Sequence, residues 1–380
     1  MTMTAEEFRS HFPIFEEKAH LCSCSEGALS DRVIVAMSEF MTSWRVHGAP
    51  WHAWMEHVDL ARGLFARLIH ASPENVAVVS CASEAAYHVA STLDLRSSRR
   101  ILTNDLEFPS VAHVWLAQKS RGAQTDFIAH KGGVITAEDY LGRIRGDHAL
   151  VSVPLVSYAN GLRLPVRTIA DAAHAVGARV FVDAYQGLGV VPVDVRELDC
   201  DYLACGTLKY LLGAPGLAFL YVRPGLEFRV EPPLTGWFAR QEPFAFDPGL
   251  LDYADDARRF QTGTPAIPAA FAGVAGMSLV LETQPQANLE HVLSLGDFLQ
   301  EEFLRAGFSL FSPTDRSLRG PQVSVLAQDA EGLGAFLADR GVLVSPRGQA
   351  IRISLHYYNS FDDARRVLQG VIDYRRTQPM

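Results

Sequence analysis

The sequence predicts an α/β fold with a mostly parallel central sheet and a second, smaller α/β unit at its C-terminal end. Two observations carry this expectation. Between residues 76 and 222, short apolar runs rich in Val, Phe and Leu alternate with segments of helical period, as in strand–helix–strand units whose helices cover both faces of a sheet. From about Glu282 a helix (287–306), four short strands (308–312, 322–326, 343–346, 350–355) and a last helix (362–374) follow. The expected division is an N-terminal segment packing on the body (1–20), a large unit (21–281) and a small unit (282–380).

The densest stretch is VFVDAYQGLGVVPVDVRELDCDYLACGTLKYLLGAPGLAFLYV, residues 180–222. A strand at 179–182 ends in Asp183, with Gln186 in the connection beyond it. A second strand at 202–205 runs into Lys209, and a Gly/Pro turn leads to an apolar strand at 217–222. A carboxylate thus leaves one strand end and a lysine leaves the next, where ligands of open α/β sheets bind. A lone lysine after a strand is ordinarily a solvated surface residue. Lys209 is instead flanked by Leu208, Tyr210, Leu211 and Leu212, surroundings that disfavour the ammonium form and leave the amine available as a Schiff-base nucleophile.

Upstream, Phe8, Phe12, Ile14 and Phe15 make residues 1–20 amphipathic, and helices are expected at 31–44 and 54–70. His47, His52 and His57 recur every five residues, which does not bring three imidazoles to one helical face, so they read as polar positions rather than a metal site. At 76–91 a strand, a turn and a helix place Ser83 where the helix begins. Such a terminus binds phosphate readily, but from local sequence alone a serine there is better read as a plain N-cap. A strand at 101–103 precedes Glu107-Phe108-Pro109-Ser110, and the strand within 149–166 precedes Ser157-Tyr158-Ala159-Asn160-Gly161. Beyond Pro224 the chain is rich in Pro, Gly and aromatics, the texture of a long functional loop. Thr264 before Pro265 suits an N-cap, and Arg352 in a half-buried strand suits a salt bridge.

Composition excludes several classes. A formal net charge of −9 with 48% hydrophobic residues fits a soluble globular protein and argues against a nucleic-acid or anionic-membrane partner. Residues 1–12 carry Glu6, Glu7, Arg9 and His11 with no apolar segment, so no secretory signal is read. The five scattered cysteines suit reduced thiols in a cytoplasm, and Cys22-x-Cys24 has no second pair to complete a zinc site. Neither G-x-G-x-x-G nor a Gly-Lys-Ser/Thr phosphate loop is present.

Taken together, Asp183/Gln186/Lys209, Cys81-Ala82-Ser83-Glu84-Ala85, Phe108-Pro109, Gly236-Trp237, Arg259-Phe260-Gln261-Thr262-Gly263-Thr264-Pro265 and Arg352-x-Ser354 resemble the class V aminotransferase family, which includes kynureninases and cysteine desulfurases. The resemblance covers roughly residues 15–375. It implies a fold type I enzyme dependent on pyridoxal 5'-phosphate (PLP), carried by Lys209 as an aldimine. It further implies Ala82 and Ser83 at the phosphate, Phe108 on the ring face, Asp183 at the pyridine nitrogen and Gln186 at the phenolic oxygen, with Tyr158 near that oxygen or the substrate. Thr207 would supply a hydroxyl where the family has a tyrosine before the lysine, and Thr264 would reach the phosphate of a partner subunit in a homodimer. Arg352 would clamp the carboxylate of a small amino-acid substrate. Lyase-type chemistry, by β-elimination or kynureninase-like cleavage after α-proton removal, is the first expectation, with class V transamination as the alternative. The cysteine-free stretch 341–354 argues against a persulfide-forming desulfurase.

Overall fold

A computed structural model describes residues 2–96 and 99–377. Twelve strands occur among them: β1 (Ala19–His20), β2 (Val76–Val79), β3 (Arg100–Asn104), β4 (Gln124–Ile128), β5 (His148–Pro154), β6 (Arg179–Asp183), β7 (Tyr202–Gly206), β8 (Ala218–Val222), β9 (Gln322–Leu326), β10 (Val342–Leu343), β11 (Ser345–Arg347) and β12 (Ala350–Ser354). Seven form the main sheet in the order β2-β8-β7-β6-β5-β3-β4, and every pair is parallel except those of β8, which runs antiparallel to both neighbours.

The sheet is buried on both faces because its strands are apolar at alternate positions on each. Val180 and Val182 of β6 face a core with helices Trp51–Leu68, Val166–Ala175 and Ile267–Leu281. Phe181 between them packs on the other side, with Trp115 and helix Ala82–Thr92. That alternation puts Asp183, two residues beyond Phe181, on the second face.

The C-terminal unit is an antiparallel sheet, β11-β12-β9, covered by helices Pro285–Arg305 and Phe361–Thr377. The expected strand at 308–312 is reduced to one bridge, Leu310 to Val325. Ser312 explains the loss: its hydroxyl accepts from the Ser324 amide and donates to the Asn160 carbonyl, so a side chain stands in for the ladder.

The N-terminal segment lies against this unit. Arg9 makes a two-point contact with Asp363, at 2.6 and 3.1 Å, and donates to the Tyr358 carbonyl. Tyr210, next to Lys209, is buried in the C-terminal core. Its carbonyl accepts from His356 Nε2, while His356 Nδ1 accepts from the Tyr357 amide, which fixes a neutral imidazole. Burial pushes His356 down to about 4. The folded state therefore binds this proton less readily than the unfolded chain. The stability tied to neutral His356 is complete above pH ~6.5 and is lost as the pH falls toward about 4. Chemical denaturation should show roughly 3 kcal/mol less stability at pH 4 than at pH 7 from this group. His356→Gln, which keeps a donor for Tyr210, should flatten that slope. An unchanged slope in the variant would assign the acid sensitivity elsewhere.

Candidate active site

The carboxyl ends of β2, β3, β5, β6 and β7 all open on one edge of the sheet. Ala82, Ser83, Phe108, Asp183, Gln186 and Lys209, read from three separate stretches of sequence, line one cavity of about 190 Å³ there. Cys81, Tyr185, Ser110 and Leu208 complete its wall. Two larger hollows, of about 380 and 480 Å³, lie outside this edge, and neither contains Lys209 or Asp183.

At one end of the cavity helix Ala82–Thr92 begins. Its N-cap is Cys81, not Ser83, and no side chain caps it; the first turn bond is Ala85 N–H to the Cys81 carbonyl. The amides of Ala82 and Ser83 are thus left unpaired beside the Ser83 hydroxyl, an anion-binding arrangement at the positive end of an eleven-residue helix. Glu84 holds this corner. Its carboxylate accepts from the Ser80 amide and hydroxyl and, 2.9 Å away, from Thr262 Oγ1. Although burial opposes ionisation, His88, Ser80 and Thr262 together bring Glu84 down to about 2.

At the other end stand Lys209 and Asp183. Lys209 Nζ lies 5.1 Å from the centre of the Phe108 ring and 4.3 Å from that of Tyr185. Burial lowers its proton affinity, and Asp183 only partly restores it. Asp183 accepts from the Tyr185 amide at 2.9 Å, and burial raises its carboxyl above the ordinary range. Gln186 donates to the Cys24 carbonyl, while its buried Oε1 has no hydrogen-bond partner among the described residues.

The turn after Lys209 is fixed from three sides. A Cβ on Gly27 would meet the Lys209 carbonyl oxygen at 2.3 Å, one on Gly189 the Tyr210 oxygen at 2.3 Å, and one on Gly276 the Leu211 oxygen at 2.4 Å. Leu212 adopts a left-handed φ of 59° to close the turn.

Arg352 is buried at 2% exposure and donates to the Tyr158 carbonyl (3.0 Å), Ser25 Oγ (3.3 Å) and the Ser345 carbonyl (3.4 Å), with no carboxylate partner among the described residues. The salt-bridge alternative is not realised. The Tyr158 ring meets that of Phe108 edge-on at 5.1 Å, so Tyr158 stands between the cavity and Arg352. One expected residue is not brought to the cavity: the Thr207 hydroxyl is turned to the Ala214 carbonyl at 2.8 Å, with the Leu217 carbonyl at 3.3 Å, inside the turn. Thr264, expected to serve a partner subunit, is exposed on the surface. Sequence reading had passed over Tyr185, Glu107 and the 22–27 segment. Tyr185 was signalled by its place between Asp183 and Gln186, whereas nothing local announces that residues 22–27 cross to Lys209.

The family model described as "Aminotransferase class-V" matches residues 27–367. The chain belongs to this family. It is 34% identical over 96% of its length, and 97% of the relative's, to a protein of Bacillus subtilis (strain 168) named "Uncharacterized aminotransferase YcbU". It is 26% identical to the kynureninase of Geobacillus thermodenitrificans (strain NG80-2), covering 95% of this chain and 89% of that one. In fold it is similar to the apo cysteine desulfurase of Thermococcus onnurineus NA1, with a TM-score of 0.90 and 22% identity over the whole of both chains. Membership makes the protein a PLP-dependent enzyme, with an α/β architecture of fold type I. The sequence-based exclusion of persulfide chemistry finds no support here. The 341–354 stretch lacks cysteine, but Cys81 lines the cavity and the carbonyl of Cys24 accepts from Gln186 in its wall.

Gly27 tests how the turn is held. Gly27→Ala should destabilise the protein by about 1–3 kcal/mol in denaturant unfolding, because the Lys209 carbonyl must move. Gly63→Ala lies mid-helix with open space around it and should be neutral or stabilising by about 0.5–1 kcal/mol. Equal effects at both positions would dismiss the clamp.

Proposed function

We propose that this enzyme is a lyase that removes the α-proton of a small amino acid and cleaves a bond at its β-carbon, by β-elimination or kynureninase-like cleavage. The observation that carries this reading is the contact between Gly236-Trp237 and the Arg259–Pro265 segment, the two motifs that resemble those of kynureninases. A Cβ on Gly236 would meet the Thr262 carbonyl oxygen at 2.3 Å, and the Phe238 amide donates to that oxygen. Through Thr262 and Glu84 the pair braces the helix terminus at the cavity. A transaminase reading is favoured by one finding, the name given to the Bacillus subtilis relative.

The residues present suit the cofactor. Free amides and a hydroxyl at Ala82 and Ser83 match a phosphate, Asp183 a pyridine nitrogen, the unfinished hydrogen bonding of Gln186 a phenolic oxygen, and the Lys209 amine an aldehyde. Bound there, PLP supplies an electron sink for charge developing at the α-carbon. Asp183 would keep a proton on the pyridine nitrogen, and Phe108 would set the tilt of the ring. Lys209, its ammonium form disfavoured by burial, would act as the base that takes the α-proton and returns it. Arg352 offers a planar fork to the substrate carboxylate.

A homodimer accompanies this reading. Met41, Trp44 and Val46 of helix Asp31–His47, with Phe244, Phe246 and Leu251, leave large apolar side chains exposed, as an unpaired interface does. Exposed Thr264 suits a residue that serves the partner's phosphate. No helix among the described residues is long and apolar enough to cross a membrane.

Four measurements test the proposal. Borohydride should fix PLP on the peptide containing Lys209, and a β-substituted amino acid should turn over without added keto acid. Turnover only with pyruvate or 2-oxoglutarate would establish transamination; alanine with enzyme-bound persulfide would establish desulfuration. Arg352→Lys should raise KM ~10–100-fold, the worth of a lost two-point contact, with little change in PLP affinity. Mixing Lys209→Ala with Thr264→Ala subunits should regenerate some complete sites, and no recovery after verified subunit exchange would exclude sharing.

A further inference from the structure

Glu107 is a buried acid that the reading above does not use. It follows β3, is 4% exposed, and has no ion-pair partner among the described residues. Its Oε1 accepts from the Phe108 amide at 2.9 Å and its Oε2 from Ser152 Oγ at 3.0 Å. Ser152 on β5 is in register with Phe181 of β6, and Asp183 lies two residues further along the same face. Glu107 therefore reaches over β5 to the face that carries Asp183.

The charges around this pair do not balance. Lys209 from beyond β7 is the charged group beside it, while the Tyr140 hydroxyl from helix Ala137–Leu141 and the Cys205 thiol on β7 belong to the core on the opposite face of the sheet. The Asn104 amide, which donates to Tyr140, adds no charge. Among the described residues Lys209 is the one cation acting directly on Asp183, and burial disfavours its charged form. Tyr140 and Cys205 are both pushed upward, so neither compensates. Two carboxylates buried together without a firm cation cannot both ionise at modest cost.

We propose that Glu107 and Asp183 share a single proton at neutral pH, with Glu107 the positioning residue that holds it and leaves Asp183 ionised toward the cavity. Asp183 is the member that faces Lys209 and accepts from the Tyr185 amide, both of which favour its anion. Glu107 is raised to about 8 by burial and then by Asp183, which supports the same division. Because its carboxyl also anchors the Phe108 amide, the group that stores the proton fixes the aromatic wall. A rise in pH through the Glu107 transition would add a second negative charge behind Asp183 without altering a residue that lines the cavity.

The test is read in the PLP-free protein and so does not depend on the reaction class. Infrared difference spectra should show a protonated side-chain carboxyl at pH 7 that is lost with a midpoint at about 8. Glu107→Gln, checked for folding by circular dichroism and for PLP binding, should abolish the transition. Ser152→Ala removes a hydrogen bond that favours ionised Glu107 and should move the midpoint upward. No protonated carboxyl at neutral pH, or a transition that survives in folded Glu107→Gln, would overturn the proposal. Should Glu107→Gln fail to fold, an unmoved midpoint in Ser152→Ala would overturn it equally. Loss of PLP binding by otherwise normal wild-type protein would instead count against the function proposed above.

Discussion

The site depends on an amine kept in a place where its charge is poorly solvated. Lys209 can sit between two aromatic rings because the turn that follows it cannot relax: three glycines from residues 27, 189 and 276 let other segments press on its carbonyls. Each approach is too close for any side chain. The packing that fixes Tyr210 in the C-terminal core and hydrogen-bonds it to His356 is the outer layer of the same restraint. Position and basicity of the amine are thus set together, since the contacts that immobilise Lys209 also exclude water from it.

Much of this was legible in the chain. The strand ends carrying Asp183 and Lys209 are short apolar runs closed by turn residues, and local pattern suffices to find them. Phe108 and Ser83 follow strands in the same way, so a parallel sheet gathers them at one edge without further information. Legibility failed where the partner is remote. Local pattern alone favours a cap at Ser83, and only the family resemblance points to phosphate there; the structure gives the capping position to Cys81 and the bracing to Glu84 and Thr262, 178 residues apart. Thr207 offered a hydroxyl at the right distance along the chain, but the tight turn to Leu217 draws that hydroxyl inward.

The 22–27 segment shows the same limit more sharply. Nothing in LCSCSEGALS marks it as part of a site, and its role follows from the course of the chain between β1 and the first long helix. That course brings Cys24 to Gln186, Ser25 to Arg352 and Gly27 to the Lys209 turn. An argument about thiols drawn from one loop before Arg352 was therefore too local. Cysteines reach the site from other segments, which a linear reading has no means to bring together.

Arg352 carries the charge argument to the opposite end of the site. A buried guanidinium whose partners are two carbonyls and a hydroxyl has its hydrogen bonds met but not its charge. A neighbouring carboxylate would stabilise the empty protein better, and the chain has not placed one there. Near Asp183 the imbalance has the reverse sign, with two acids and one reluctant cation. The large unit and the C-terminal unit therefore each hold an unneutralised group of opposite sign, separated by Tyr158 and Phe108. On the function proposed above, the carboxylate of an amino acid complements Arg352, and the pyridine nitrogen of the cofactor complements Asp183. On that reading the stability forgone at both ends is available as binding energy directed at the reacting centre, where departures from local packing rules are expected.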